Sequence, residues 1–175
     1  MDSAFRFLGV FANQRLQNVA FEWNIPMQLT LVHIGGRFAS NDETDQLTRL
    51  YLDRCQAYAR CQTQPFRSEE AFLDWLARQS GRTPVFPVLL DSRGRSMDSA
   101  AFAAWLGRQR DSDVQHMVFA IGPASGWSDG ARKQGRLLFS LGPMTLAHGL
   151  ARAVLAEQLY RAFTILAGHP YHTGH

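Results

Sequence analysis

The sequence predicts an α/β protein, specifically an α/β/α sandwich built on a mainly parallel sheet. Three observations carry that expectation. Short strand-like runs alternate with helical-period runs through most of the chain, the pattern of repeated strand–helix–strand units. One run, "TPVFPVLLD" (Thr83–Asp91), is of the buried type. Helix starts and stops are marked where expected, by capping side chains and by glycine. The length, 175 residues, suits one domain with a short appendage.

"MQLTLVHIGG" (Met27–Gly36) alternates and ends in two glycines, so it reads as the first strand with its turn. Asn41 or Asp42 then caps a helix running to about Ala57, with Leu47, Leu50, Tyr51 and Arg54 at helical spacing. "RCQTQPF" is a short strand in which Pro65 marks an edge or an end. Ser68 caps the next helix. Glu69 and Glu70 sit favourably in its first turn, Phe72, Trp75 and Leu76 form its apolar stripe, and Gly81 stops it. Thr83–Asp91 follows as a strand, and "SRGR" reads as a polar turn after it. Asp98 caps "SAAFAAWLG", a short helix ended by Gly107. Val114–Gly122 is another strand, a helix from about Asp129 to Gly135 follows, and "RLLFSLG" is the last strand. The final helix spans about Ala147 to Ala167. Leu150, Val154, Leu155, Leu159, Ala162, Phe163 and Leu166 make it a broad apolar face, and Gly168 and Pro170 end it. Glu157 and Arg161 stand at i,i+4 in the favourable order, worth roughly 0.3 kcal/mol if exposed.

Composition narrows the function classes. Apolar residues make up 46% and charged residues 19%, normal for a globular protein. No apolar run approaches the ~18 residues of a membrane span, so no membrane partner is expected. The formal charge is +3, and Lys133 is the sole lysine among the basic residues. Arginine grips phosphate bidentately and stacks on bases, although a biased genome would give the same skew. Cys55 and Cys61 have no Cys-x-x-Cys spacing, so a zinc site is not expected, and free thiols suit a reducing, cytoplasmic compartment. Residues 1–26 lack the basic start, continuous apolar stretch and cleavage site of a secretory signal. They read as an amino-terminal extension of unknown role, with residues 27–175 as the folded domain.

Ligands of such sheets bind at the carboxyl ends of the strands, and three glycine- or small-residue loops are expected there, after Leu90, Ile121 and Phe139. "IGPASG" (Ile121–Gly126) lets backbone approach a ligand but matches neither a nucleophile elbow nor a P-loop. "FSLGPMTLAHGL" (Phe139–Leu150) is an irregular, mostly apolar connection. Holding Met144 and Leu146, it is expected to be buried around a ligand or against another chain. The tail "HPYHTGH" places His169, His172 and His175 close together. Pro170 breaks the helix that would align them and no carboxylate or cysteine accompanies them, so no metal is expected.

Thr145–His172, "TLAHGLARAVLAEQLYRAFTILAGHPYH", resembles the carboxy-terminal signature of the ribosomal RNA large subunit methyltransferase H family, of the SPOUT class. Thr145, Leu146, His148, Leu150, Arg152, Ala156, Glu157, Leu159, Tyr160, Arg161, Ala162 and His169–His172 all fit it. Leu89–Asp91 and Ile121–Gly122 match further upstream. The resemblance implies a carboxy-terminal trefoil knot, S-adenosylmethionine as cofactor, and a homodimer in which each tail reaches a site shared between protomers. It implies a cofactor pocket of Leu90, Gly122, Leu141, Gly142, Pro143, Met144, Thr145 and Leu146. It also implies Arg161, Tyr171 and His172 as the catalytic set, acting on the N3 of a pseudouridine in helix 69 of 23S ribosomal RNA within the assembled ribosome.

Departures from the family pattern are specific. Gly122-Pro123-Ala124-Ser125-Gly126 stands where the family has Gly-Gly-Pro-Glu-Gly, and Thr173 stands where it has arginine after the final histidine. Two competing readings follow: a catalytically impaired SPOUT-fold protein that binds RNA or ribosomes, and a methyltransferase of another RNA.

Overall fold

Five parallel strands run in the order β2-β1-β4-β3-β5. The computed structural model describes residues 27–35, 42–79, 81 and 83–172. Its elements are β1 (Gln28–Ile34), α1 (Glu43–Cys55), β2 (Arg60–Phe66), α2 (Glu69–Ala77), β3 (Val85–Ser96), α3 (Ser99–Asp111), β4 (His116–Ile121), α4 (Asp129–Gln134), β5 (Leu137–Ser140) and α5 (His148–Leu166). A single 3-10 turn, Pro170–His172, closes the described chain.

Two apolar cores sandwich the sheet, as expected. Side chains alternate across a strand. Leu29, Leu31, Met117 and Phe119 therefore meet Leu52, Phe102, Leu106, Leu155 and Phe163 from α1, α3 and α5 on one face. Val32, Val118, Ala120 and Leu89 meet Phe72, Trp127 and Ala131, from α2, α4 and the loop before α4, on the other. The layering follows from crossover handedness. Each step toward the β2 edge passes over the α1/α3 face, and each return toward β5 passes over the opposite one. One crossover hand throughout demands that alternation.

Local signals held where they were local. Asp42, Ser68 and Asp98 each accept a hydrogen bond from the third residue beyond, satisfying a helix donor that would otherwise lack a partner. Pro65 sits in the edge strand β2, which pairs only with β1, so its missing N–H costs no ladder bond.

Four expectations need correction. The "SRGR" stretch is no free turn, because β3 continues to Ser96 and pairs with β5 a second time at Arg95–Phe139 and Ser96–Ser140. Gly107 does not end α3, which runs on to Asp111. Gly107 lies inside the helix, buried, where a Cβ would come to 3.0 Å of a Leu166 methyl carbon on α5. On α1 the buried residues are Asp45, Thr48, Leu52 and Cys55, while Leu47 and Leu50 face outward. The apolar face of α5 is likewise split: Leu155, Leu159, Ala162 and Phe163 are buried, and Leu150 and Val154 are exposed.

A buried ion pair explains the polar inner face of α1. Arg152 of α5, only 2% exposed, donates to Asp45 of α1 at 2.6 Å, and Asp45 also accepts from Arg49 at 2.8 Å. Such a pair fixes how the two helices meet, and removing one partner would cost about 3–5 kcal/mol by stranding the other.

Candidate functional site

The three loops anticipated at the carboxyl ends of the strands do converge. Leu90 ends the main part of β3, Gly122 follows β4, and Leu141, Gly142, Met144, Thr145 and Leu146 follow β5. All line one cavity of about 430 Å³. Its size is that of a small-molecule site. Pro143, expected with them, lies outside its lining. The loop is also less buried than expected. Met144 is 79% exposed, and Pro143 and Thr145 are exposed, while Leu141 and Leu146 are half-buried.

Main-chain groups shape this cavity, and side chains hold them. The Trp127 indole N–H donates to the Leu90 carbonyl at 2.9 Å, and its ring covers Gly122. A Cβ at residue 122 would fall 2.7 Å from that ring, so the tight fit requires glycine there. The Gly122 carbonyl is also engaged by His148 Nε2 at the start of α5. His148 thus ties the loop after β4 to the loop after β5. The sequence placed it in a motif without assigning it this role.

Charge lies at one side of the cavity. Asp91, with a 5% exposed side chain, accepts from Arg132 at 2.7 Å and from the Arg93 N–H at 2.9 Å. Burial pushes its carboxyl upward, but the hydrogen bonds from Arg93 and Arg132 outweigh that and hold it below the usual carboxylate range. It is therefore an anion at neutral pH. Asp91 and Arg132 both line the cavity and were not anticipated as site residues.

The expected catalytic residues gather elsewhere. Arg161 donates through Nε and Nη2 to one Glu157 oxygen, at 3.0 and 2.7 Å. The same oxygen accepts from the Tyr171 hydroxyl at 3.1 Å, and the Arg161 guanidinium lies 5.0 Å from the Tyr171 ring centre. The Glu157–Arg161 pair is thus more than a surface i,i+4 contact, because it organises the tail. Tyr51 and Tyr160 complete the cluster, with Arg54 over both rings. Burial, the Tyr51 hydroxyl and the Glu157 carboxylate all push the Tyr171 phenol upward, so it stays protonated and donates. The Glu157 hydrogen bond likewise raises Arg161. The 3-10 turn includes the His172 backbone, and the His172 side chain lies outside the described residues, as do Thr173 to His175. No cluster of three metal-ligating side chains occurs among the described residues.

The two groups share a helix but not a cavity. His148 and Arg161 are thirteen residues apart on α5, about 20 Å at the helical rise.

Comparison with known proteins follows the same line. Residues 27–172 match the family described as "Predicted SPOUT methyltransferase". The ribosomal RNA large subunit methyltransferase H of Koribacter versatilis is 46% identical over 149 residues, covering 85% of this chain and all of that one. The protein of the same name from Nitrobacter hamburgensis is 45% identical over 119 residues, 68% of this chain and 72% of that one. Among solved structures, the SpoU methyltransferase AviRb from Streptomyces viridochromogenes, in complex with AdoMet, aligns at 13% identity and a TM-score of 0.44. That alignment covers 80% of this chain and 61% of that one, a likeness too distant to argue from.

Proposed function

This chain belongs to the SPOUT methyltransferase family, among the ribosomal RNA large subunit methyltransferase H proteins, and on that premise we propose that it methylates large-subunit ribosomal RNA using S-adenosylmethionine. The assigned position is N3 of a pseudouridine in helix 69, and the setting is the cytoplasm, on the assembled ribosome. No helix among the described residues is long and apolar enough to cross a membrane.

The cavity suits this cofactor. Half-buried Leu90, Leu141 and Leu146 offer apolar surface to a purine, Gly122 lets main chain approach closely, and the paired Asp91 and Arg132 give one side of the lining a polar edge. When bound, the cofactor offers an electrophilic methyl group on sulfur, and loss of that methyl leaves a neutral thioether. Trp127 and His148 hold the two carbonyls that shape the cavity, so its geometry exists before the ligand arrives. Arg161 is assigned to the substrate, as a guanidinium for phosphate or a base edge. Tyr171, protonated, positions the base by donating a hydrogen bond. The proton leaving the ring nitrogen is assigned to His172.

The observation that carries this reading is the separation itself. Methyl transfer needs reacting atoms about 3–3.5 Å apart, and one protomer keeps its two halves about 20 Å apart along α5. A homodimer resolves this if one protomer's tail closes the other's cavity. Leu150 and Val154 on α5 and Leu47 and Leu50 on α1 are the exposed large apolar residues that such an interface would cover. Leu90 and Arg95 both pair with Phe139 of β5, and the trefoil crossing is proposed near Met144, in the loop that follows β5.

Calorimetry with S-adenosylmethionine and tritium transfer to large ribosomal subunits test the proposal. Failure to bind the cofactor would remove it. The loop Pro123-Ala124-Ser125 favours a second reading, in which the protein binds without turnover; cofactor binding with no tritium in ribosomal RNA would be its signature.

A further inference from the structure

The side chains of Arg93 and Arg95 are given no role above, although Ser92 and Arg93 line the cavity and the segment lies within β3. Leu90 and Arg95 both pair with Phe139, so the chain between them bows out and returns to the same strand. Gly94 anchors the return. A Cβ there would fall 2.5 Å from the Leu138 carbonyl carbon and 2.6 Å from the Phe139 nitrogen, so only glycine lets the two backbones touch. Arg93 and Arg95 flank that anchor and are both exposed. Two residues apart, their Cα atoms lie within about 7 Å of one another whatever the local bend.

Little of this positive charge is consumed locally. Asp91 is already held by Arg132 at 2.7 Å, and Arg93 reaches it only at 3.5 Å with its side chain 62% exposed. Asp129, the other nearby carboxylate, also turns to Arg132, at 3.0 Å. Among the described residues no ion pair involves Arg95. Arg93 thus lines the cavity and Arg95 stands two residues beyond it, outside the lining, with Gly94 between them packed on the β5 backbone. Guanidinium is weakly hydrated and forks onto phosphate, so such a pair suits a polyanion read by its backbone rather than its bases.

We propose that Arg93 and Arg95 form a phosphate clamp that sets the path of the RNA substrate past the cavity rim. The inference rests on the RNA-methyltransferase reading and names a contact that reading leaves open. Each clamp contact releases counterions, so its signature is salt dependence.

The experiment compares wild type with Arg93→Ala/Arg95→Ala and Arg93→Lys/Arg95→Lys. Fluorescence anisotropy follows binding of a short single-stranded RNA over a range of salt, and calorimetry follows S-adenosylmethionine. Loss of two contacts should make the slope of log K against log salt shallower by about 1.4 in the alanine variant. The lysine variant should keep the slope, and in Arg95→Ala, at a residue outside the cavity lining, cofactor affinity should stay within twofold. An unchanged slope in the alanine variant overturns the clamp. So does a loss of cofactor affinity with the slope intact, which would assign the arginines to the cofactor's carboxylate. Should the double alanine variant not fold, Arg95→Glu serves: at least tenfold weaker RNA binding is expected, and equal binding overturns the proposal. Wild type that binds RNA with the full slope yet methylates no ribosomal RNA sinks the proposed function and leaves the clamp standing. Wild type that binds no RNA sinks the clamp.

Discussion

The two ends of α5 are built by opposite means. Around His148 the site is shaped by main chain, with the carbonyls of Leu90 and Gly122 held by Trp127 and His148 and a glycine-containing loop beside half-buried leucines. Around Arg161 the working surface is side chain, and one carboxylate, Glu157, holds an arginine and a phenol together. Main chain can enclose a ligand whose shape never changes, because its donors and acceptors are fixed by the fold. A side-chain cluster can be presented outward to a partner, since its geometry depends on a few hydrogen bonds rather than on an enclosing wall. A cofactor end and a substrate end are what that difference suggests, and each can be broken separately.

The largest effect should come from keeping the ends apart. Leu150→Asp with Val154→Asp is expected to yield a monomer by sedimentation and to lower transfer by roughly a thousandfold, through lost proximity. A monomer that still turned over would place both ends in one chain and remove the comparison. Next, Arg161→Ala should cost about 2–3 kcal/mol of transition-state binding, roughly 30–160-fold in kcat/KM, through loss of a charged contact. Cofactor affinity by calorimetry should not move, and a parallel fall there would show that the ends are not separate. Gly122→Ala is the converse. Crowding Trp127 should cost about 1–3 kcal/mol in thermal or urea unfolding and weaken the cofactor about tenfold, without altering RNA affinity. His148→Ala should be milder, about 1 kcal/mol or fivefold in cofactor affinity, with His148→Gln recovering part of it through a retained donor.

The smallest effect belongs to a group in neither region. His116 is bonded to Thr30 Oγ1 at 2.9 Å, and burial holds its pKa below the ordinary 6.5. Below pH 6.5 the unfolded chain takes up a proton that the folded one refuses. The unfolded state then binds more protons, and stability declines as pH falls through that window. Urea titrations on either side of it should show the decline, and His116→Gln should flatten it. Cofactor affinity that tracked the same titration would contradict its independence from the cavity.

Much of this was legible in the sequence where the physics is local. Asp42, Ser68 and Asp98 cap helices because each needs only its own third neighbour to do so. The glycine and apolar residues after β4 and β5 flagged the cavity because backbone access demands them. The failures were nonlocal. Gly107 looked like a helix stop and lies inside α3 beside Leu166, and "SRGR" looked like a turn alone and returns to β5 at Arg95. Glu157 looked like one half of a surface pair, because nothing in its spacing says that Tyr171 folds back onto it.

By itself, then, the sequence determined the element types, the sandwich of helices over a parallel sheet, and the family signature that runs through α5. Periodicity, capping and residue identity are properties of short stretches, which is why they can be read in order. Tertiary structure alone decided which apolar residues stay outside, which side chains hold the Leu90 and Gly122 carbonyls, and that the cavity and the Arg161 cluster lie apart on one helix. Those are distances between residues far apart in the chain. They are set by the packing of whole elements against the sheet, which no single stretch encodes.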